Sequence, residues 1–144
     1  PPESRGWMLG DEYELPEIAP SALIHAFVTV DGGLKQPTTI GKRTFLMAHV
    51  HVGHDAQIGE DCELAPGVVI GGECEIGNGV RIGINACLRP TAKVGDDARI
   101  GAGAVVVKDV PAGETWAGNP ARRLRVGDWA SEEWGEWWDR TRAS

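Results

Sequence analysis

No stretch of this sequence approaches the roughly 18 consecutive apolar residues of a membrane span, and none reads as a signal peptide. Basic side chains are the minority. Fourteen Lys and Arg against 21 Asp and Glu give a formal charge of −7, which argues against nucleic acid or an anionic membrane as the main partner. Cysteine is scarce and unclustered: Cys62, Cys74 and Cys87 form no CxxC pair, so reduced thiols and a cytoplasmic location are expected. The 144 residues leave room for one domain rather than two. The chain opens at Pro1 rather than Met, as a processed or trimmed N-terminus would.

What the sequence has in abundance is glycine, 20 residues of it, and the glycine is periodic. From Ile40 to Val106 an aliphatic residue recurs at every sixth position without a miss. The fifth position of each six, from Thr44 to Ala104, is always small, and the second is most often Gly (41, 53, 59, 71, 77, 83, 95, 101). Period six contains the strand period of two, yet the third position is often polar (Lys42, His54, Glu60, Asn78, Asp96). Each unit must therefore bend, leaving only the first and fifth positions inside. Gly at the second position suits a bend, having no Cβ to penalise unusual backbone angles. Three sixes make an 18-residue coil of a triangular prism whose coils stack their aliphatic residues within. The hand of the coil does not follow from this argument. An amphipathic helix is excluded, because a six-residue spacing walks around a 3.6-residue turn and the Gly content is too high.

The pattern runs backwards through Val30, Ile24 and Ile18, but Val30 and Ile40 are ten residues apart. Four extra residues must loop out within 31–39, which holds Gly32-Gly33 and Pro37. The expected organisation is an acidic, irregular arm over 1–17, about five coils over 18–111 with the loop at 31–39, and a C-terminal turn and tail over 112–144. The tail carries Trp129, Trp134, Trp137 and Trp138 and reads as a short helix docking its indoles as a cap.

The stretch Ile40–Arg125 resembles the hexapeptide-repeat acyltransferases. The run from Ile100 (Ile-Gly-Ala-Gly-Ala-Val-Val-Val-Lys-Asp-Val-Pro) to Ala117-Gly-Asn-Pro-Ala-Arg looks like the usual ending of that superfamily. His49-Val-His-Val-Gly-His-Asp-Ala-Gln-Ile-Gly is similar to two branches: the UDP-N-acetylglucosamine O-acyltransferases of lipid A synthesis and the nucleotide-sugar acetyltransferases of the bacillosamine and sialic acid pathways. Gly83-Ile-Asn-Ala-Cys-Leu-Arg-Pro leans to the second branch, the 31–39 loop and Leu46-Met47 to the first. The resemblance implies an all-β, left-handed parallel β-helix, a homotrimer with sites in the clefts between subunits, and an acyl thioester donor lying along the cleft. That donor is acetyl-CoA or an acylated carrier protein, the acceptor is a small sugar, and no metal is implied. His54 falls on the family's catalytic base and Asp55 on the acidic residue that follows it. His51 matches a second histidine of the lipid A branch. Gly72 falls on the glycine whose N–H supports the oxyanion. Histidines of one branch or the other appear here as Glu63, Glu73 and Arg89.

The residues support this chemistry on their own terms. Acyl transfer needs a base for the acceptor proton and donors for the oxyanion. Histidine, with an ordinary pKa of about 6.5, suits the first task. Asp55 or another carboxylate would fix the imidazole tautomer, and the Gly71-Gly72 doublet admits close approach of a ligand to backbone. His54 and His51 both face outward, so each is either a functional group or an ordinary surface histidine. His49 and Asn85 lie two coils apart on one edge, as substrate contacts or as a hydrogen-bonded stack. Arg122 and Arg123 are candidates for the phosphates of coenzyme A, or simply solvated charges. Cys62 and Cys74 take the small inward position and read as inert packing. Two other functions stay open. A zinc-dependent carbonic anhydrase of the γ type would pair His49 with His54, although no third histidine stands in register, and a non-catalytic trimeric scaffold would need none of these groups.

Overall fold

The computed structural model describes residues 13–125. The first coil comprises β1 (Glu17–Ile18), β2 (Leu23–Ile24) and β3 (Thr29–Val30). Four more follow: β4 (Thr39–Ile40), β5 (Phe45–Leu46) and β6 (His51–Val52); β7 (Gln57–Ile58), β8 (Glu63–Leu64) and β9 (Val69–Ile70); β10 (Glu75–Ile76), β11 (Arg81–Ile82) and β12 (Cys87–Leu88); β13 (Lys93–Val94), β14 (Arg99–Ile100) and β15 (Val105–Val106). A sixth turn begins at Val110, which bridges Val94, and continues into β16 (Thr115–Gly118), which folds back on β17 (Ala121–Arg123). Every third strand pairs in parallel, giving three sheets: β1-β4-β7-β10-β13, β2-β5-β8-β11-β14-β16-β17 with only its last pairing antiparallel, and β3-β6-β9-β12-β15. The architecture is the expected all-β parallel β-helix, consistent with the left-handed form. It has no helix among the described residues. The expected C-terminal helix and its tryptophans lie outside them.

The register confirms the arithmetic. Coils stack 18 residues apart (Thr39 on Gln57, His51 on Val69) except between the first and second, where Thr29 meets His51 and the offset is 22. The four-residue insertion lies between Val30 and Thr39, as its sequence indicated. The first and fifth positions form the core, from Ile40 and Thr44 to Ala104 and Val106, all buried. Burying such side chains contributes roughly 1.5–3 kcal/mol for each Ile, Leu or Val. The first coil is the exception, since nothing described covers its open end: Ile18 is 42% exposed, whereas Ile40 directly above it is 2% exposed. The last residues of the expected arm are also more ordered than anticipated. Glu14 bridges Gly33 in both directions, and the Tyr13 hydroxyl accepts the Gly32 N–H.

The structure corrects one step of the reading. The bend does not lie at the second-position glycines. Every fourth position from Arg43 to Gly103 has positive φ instead, including Asp55 (59°), Glu73 (61°) and Asn85 (57°). Left-handed backbone costs an ordinary L-residue about 1–2 kcal/mol. Coil-to-coil bonds help to offset it at most of these positions, where the N–H reaches down to the coil beneath: Asp61 to the Lys42 carbonyl, Glu73 to that of His54, Asn85 to that of Pro66. The second-position glycines serve close packing. A Cβ on Gly41 would stand 2.4 Å from the Gly59 carbonyl oxygen, and one on Gly83 2.5 Å from the Ala102 nitrogen.

Candidate active site

Three corners join the three sheets. His54 lies two residues beyond β6, at the corner leading to the β1-containing sheet. Its third position points outward, so the ring is 39% exposed. Its Nδ1 bonds Asp55 Oδ2 at 2.7 Å. Asp55 is turned under by its left-handed backbone and is only 1% exposed.

A buried carboxylate needs donors. The inserted loop provides them: the backbone N–H groups of Leu34, Lys35 and Gln36 all donate to Asp55 Oδ1, at 3.0, 2.7 and 2.9 Å. The Gln36 side-chain amide donates to the Asp55 carbonyl at 3.2 Å. Burial alone would push the Asp55 carboxyl upward. The His54 contact and the three loop N–H groups outweigh it and hold the pKa down to about 2. Asp55 is therefore an anion throughout the physiological range.

Above His54 lies Gly72. A Cβ there would stand 2.5 Å from His54 Nε2 and 2.9 Å from Cδ2 and Cε1. The close approach that the glycine doublet allows is thus first of all that of the imidazole itself. The Gly72 N–H has no acceptor among the described residues. At another corner Asn78 and Asp96 cap the N–H groups of Glu60 and Asn78 from the coil above. At this corner the residue 18 above Gly72 is Pro90, which carries no such acceptor. Glu73 completes the surroundings and receives Lys35 Nζ at 2.7 Å.

His54, Asp55 and Glu73 bring one nitrogen and two carboxylates within 4.8 Å of one another, the spacing of a metal site. Those groups already bond one another or the loop, so the arrangement reads as a hydrogen-bonded dyad held by its insertion. His51 is close in sequence but occupied differently: its Nδ1 shares a 2.7 Å bond with the Thr29 hydroxyl, and its Nε2 lies 3.6 Å from Asp31.

The other expected residues are not brought to this corner. His49 sits at the far end of β6, on the next corner, stacked on Phe27 with ring centres 5.1 Å apart. His49 and His54 therefore occupy different corners of one chain. Asn85 lies on the His49 corner with its Oδ1 against Gly67, so Gly67 intervenes and the hydrogen-bonded stack does not form. Arg122 and Arg123 are in β17, on the β2-containing sheet, and Arg123 faces Glu114 at 3.4 Å. His25 packs edge-on against Phe45. Burial raises the thiol pKa values of Cys62 and Cys74, whose Sγ atoms donate to the Gly77 and Arg89 carbonyls, consistent with inert packing. The sequence reading missed the loop N–H groups and the Lys35–Glu73 pair. A signal was present: the insertion after Val30 falls at the same corner as Asp55 after Val52, one coil beneath it.

Comparison with known proteins gives the family. The family described as bacterial transferase hexapeptide (six repeats) matches residues 37–72 and 73–108, together half of the chain. The chain belongs to this family. Among hexapeptide transferases, the UDP-3-O-acylglucosamine N-acyltransferase of Caulobacter vibrioides is 48% identical over 96 residues, covering 67% of this chain and 28% of that protein. The structure of UDP-N-acetylglucosamine O-acyltransferase from Moraxella catarrhalis superposes with a TM-score of 0.77 at 33% identity, over 80% of this chain and 46% of the other. The acetyltransferase domain of PglB from Neisseria gonorrhoeae, solved with acetyl coenzyme A, gives 0.62 at 30% identity, over 85% and 63%. The chain thus spans less than two thirds of each of these relatives.

Proposed function

We propose that this chain carries the catalytic β-helix of an acyltransferase that moves an acetyl or short acyl group from a phosphopantetheine thioester to an amine or hydroxyl of a nucleotide-linked sugar. The observation that carries the reading is the His54–Asp55 dyad: Nδ1 is held by a buried anion, and Nε2 stands at the surface beside Gly72. Asp55 keeps the proton on Nδ1, so Nε2 presents its lone pair. The acceptor nitrogen or oxygen attacks the thioester carbonyl carbon while its proton passes to Nε2. The Gly72 N–H, with no acceptor of its own, donates to the tetrahedral oxyanion. Collapse breaks the C–S bond, and the imidazolium returns the proton to the departing thiolate. General-base catalysis of this kind contributes roughly 10²–10⁴-fold.

Acetyl-CoA is the donor we favour, with an acylated carrier protein as the alternative source of the same thioester. The named relatives act on nucleotide sugars, which supports that acceptor class. His51, at the same face, is a candidate acceptor contact. The expected assembly is a homotrimer in the cytoplasm, where such thioesters are made.

The test is release of free thiol from acetyl-CoA in the presence of a panel of UDP-amino sugars. His54→Ala is expected to lower the rate by about 10²–10⁴-fold with the fold intact by circular dichroism. A His54→Ala protein as active as the parent sinks the assignment of the base.

A further inference from the structure

The four-residue insertion breaks an otherwise unbroken repeat, and the acceptor is the obvious thing for such a loop to touch. Its contacts point elsewhere. Three consecutive backbone N–H groups converge on one carboxylate oxygen, the nest arrangement that backbone forms around an anion. Asp61 holds the same fourth-position backbone one unit on, yet its side chain is 55% exposed where that of Asp55 is 1% exposed. What separates them is the loop lying over Asp55. The loop is itself fastened. Gly33 bridges Glu14, the Gly32 N–H reaches Tyr13, and the Gln57 amide donates to the Pro37 carbonyl at 2.8 Å. Its one side-chain cation, Lys35, reaches Glu73, the second carboxylate beside the imidazole.

We infer that the 31–38 loop is the positioning element of the dyad: Leu34, Lys35 and Gln36 hold Asp55 on His54 Nδ1, and Lys35 holds Glu73 away from His54 Nε2. This rests on the reading of His54 as the base. Two carboxylates beside one imidazole compete for its two nitrogens. Were Glu73 free, it would bond Nε2, the atom that must stay open to the acceptor proton. An ammonium that bonds Glu73 removes that competitor. Lys35 acts through its neighbours and touches no reacting atom, so it is a positioning residue.

Lys35 is 74% exposed, so Lys35→Met is expected to fold normally. It should lower kcat by about 10- to 100-fold, the cost of misplacing a catalytic group, with KM for the acceptor little changed. Adding Glu73→Gln should restore most of the loss, since the amide is no anionic competitor. Lys35→Pro deletes the shortest of the three loop N–H bonds. Nitrogen-15 NMR of the imidazole then reads the tautomer without reference to turnover: the parent should hold its proton on Nδ1, and Lys35→Pro should show a mixture. Three results overturn the inference: a Lys35→Met enzyme that loses only acceptor affinity, which makes the loop an acceptor contact; a loss that Glu73→Gln does not rescue; or an unchanged tautomer in Lys35→Pro. None of these depends on whether His54→Ala abolishes transfer, so the two readings fail separately.

Discussion

At the scale of single residues, the proposed chemistry falls where ordinary packing rules are set aside. Asp55 combines a left-handed backbone, near-complete burial and a full negative charge, each unfavourable alone. The loop and His54 more than compensate, which ties the carboxylate to stability with a definite sign. An unfolded Asp titrates near 3.9, and this one near 2 when folded. The native state therefore prefers the anion, and the stabilisation is complete above roughly pH 5 and fades as pH falls towards 2. Its size is about 2–3 kcal/mol, at about 1.4 kcal/mol per pKa unit. Asp55→Asn should accordingly unfold more readily in urea at pH 7 by at least about 2 kcal/mol, with the gap to the parent closing as the pH is lowered to 2. A gap that stays constant with pH would show that the carboxylate is not the linked group. His54 and Gly72 were legible from an 18-residue offset and a motif, because both depend on register. The Leu34–Gln36 contacts were not, because backbone N–H groups carry no residue identity, and any three residues in that conformation offer them.

At the scale of the element, the repeat was legible in its hydrophobic column and misread in its glycine column. The aliphatic first positions and small fifth positions are buried as their spacing required. The second-position glycines suggested a bend, since glycine is the usual sign of one. The bend is at the fourth position, where Asp55, Asp61, Gly67, Gly79, Asn85, Asp97 and Gly103 already favour left-handed backbone. Arg43, Glu73 and Thr91 share the conformation and dilute that pattern. The two kinds of glycine should answer differently to alanine. At Gly103 a Cβ meets nothing within 4 Å, and the cost is that of positive φ, about 1–2 kcal/mol. At Gly83 the φ is ordinary, but a Cβ would press on the Ala102 backbone at 2.5 Å, and backbone of the next coil cannot step aside as a side chain can. Gly83→Ala should cost about 3 kcal/mol, the upper end of what overpacking usually costs, because the obstacle is backbone. Thermal unfolding ranks the two directly, and the reverse order would mean that φ rather than coil spacing governs the repeat.

At the scale of the whole molecule, the three outer faces of the prism differ in what they could bury. Outward residues on the first sheet include Glu17, Glu75 and Lys93, and those on the second Glu63, Arg81 and Arg99. The third presents Thr29, His51, Val69, Cys87 and Val105, with no Lys, Arg, Asp or Glu. Taking the charged faces out of water would cost heavily, while burying this one would release water from apolar surface, including Val69 at 43% exposure. The third face also ends at the His54–Gly72 corner, so copies packed through it about a threefold axis would set each dyad at the rim of a cleft between subunits. A heterologous contact of this kind closes into a ring when the rotation is right. Val69→Lys tests the arrangement without disturbing the fold, because its side chain points out of the core. In a trimer the substitution places an ammonium among the uncharged strand residues of this face in every copy, and desolvating it costs several kcal/mol. Sedimentation velocity should then show a trimer for the parent and a monomer for the variant, and thiol release should fall with the trimer population. A Val69→Lys protein that remains trimeric and active would move the interface to another face, and would leave the His54 corner open to solvent on a single chain.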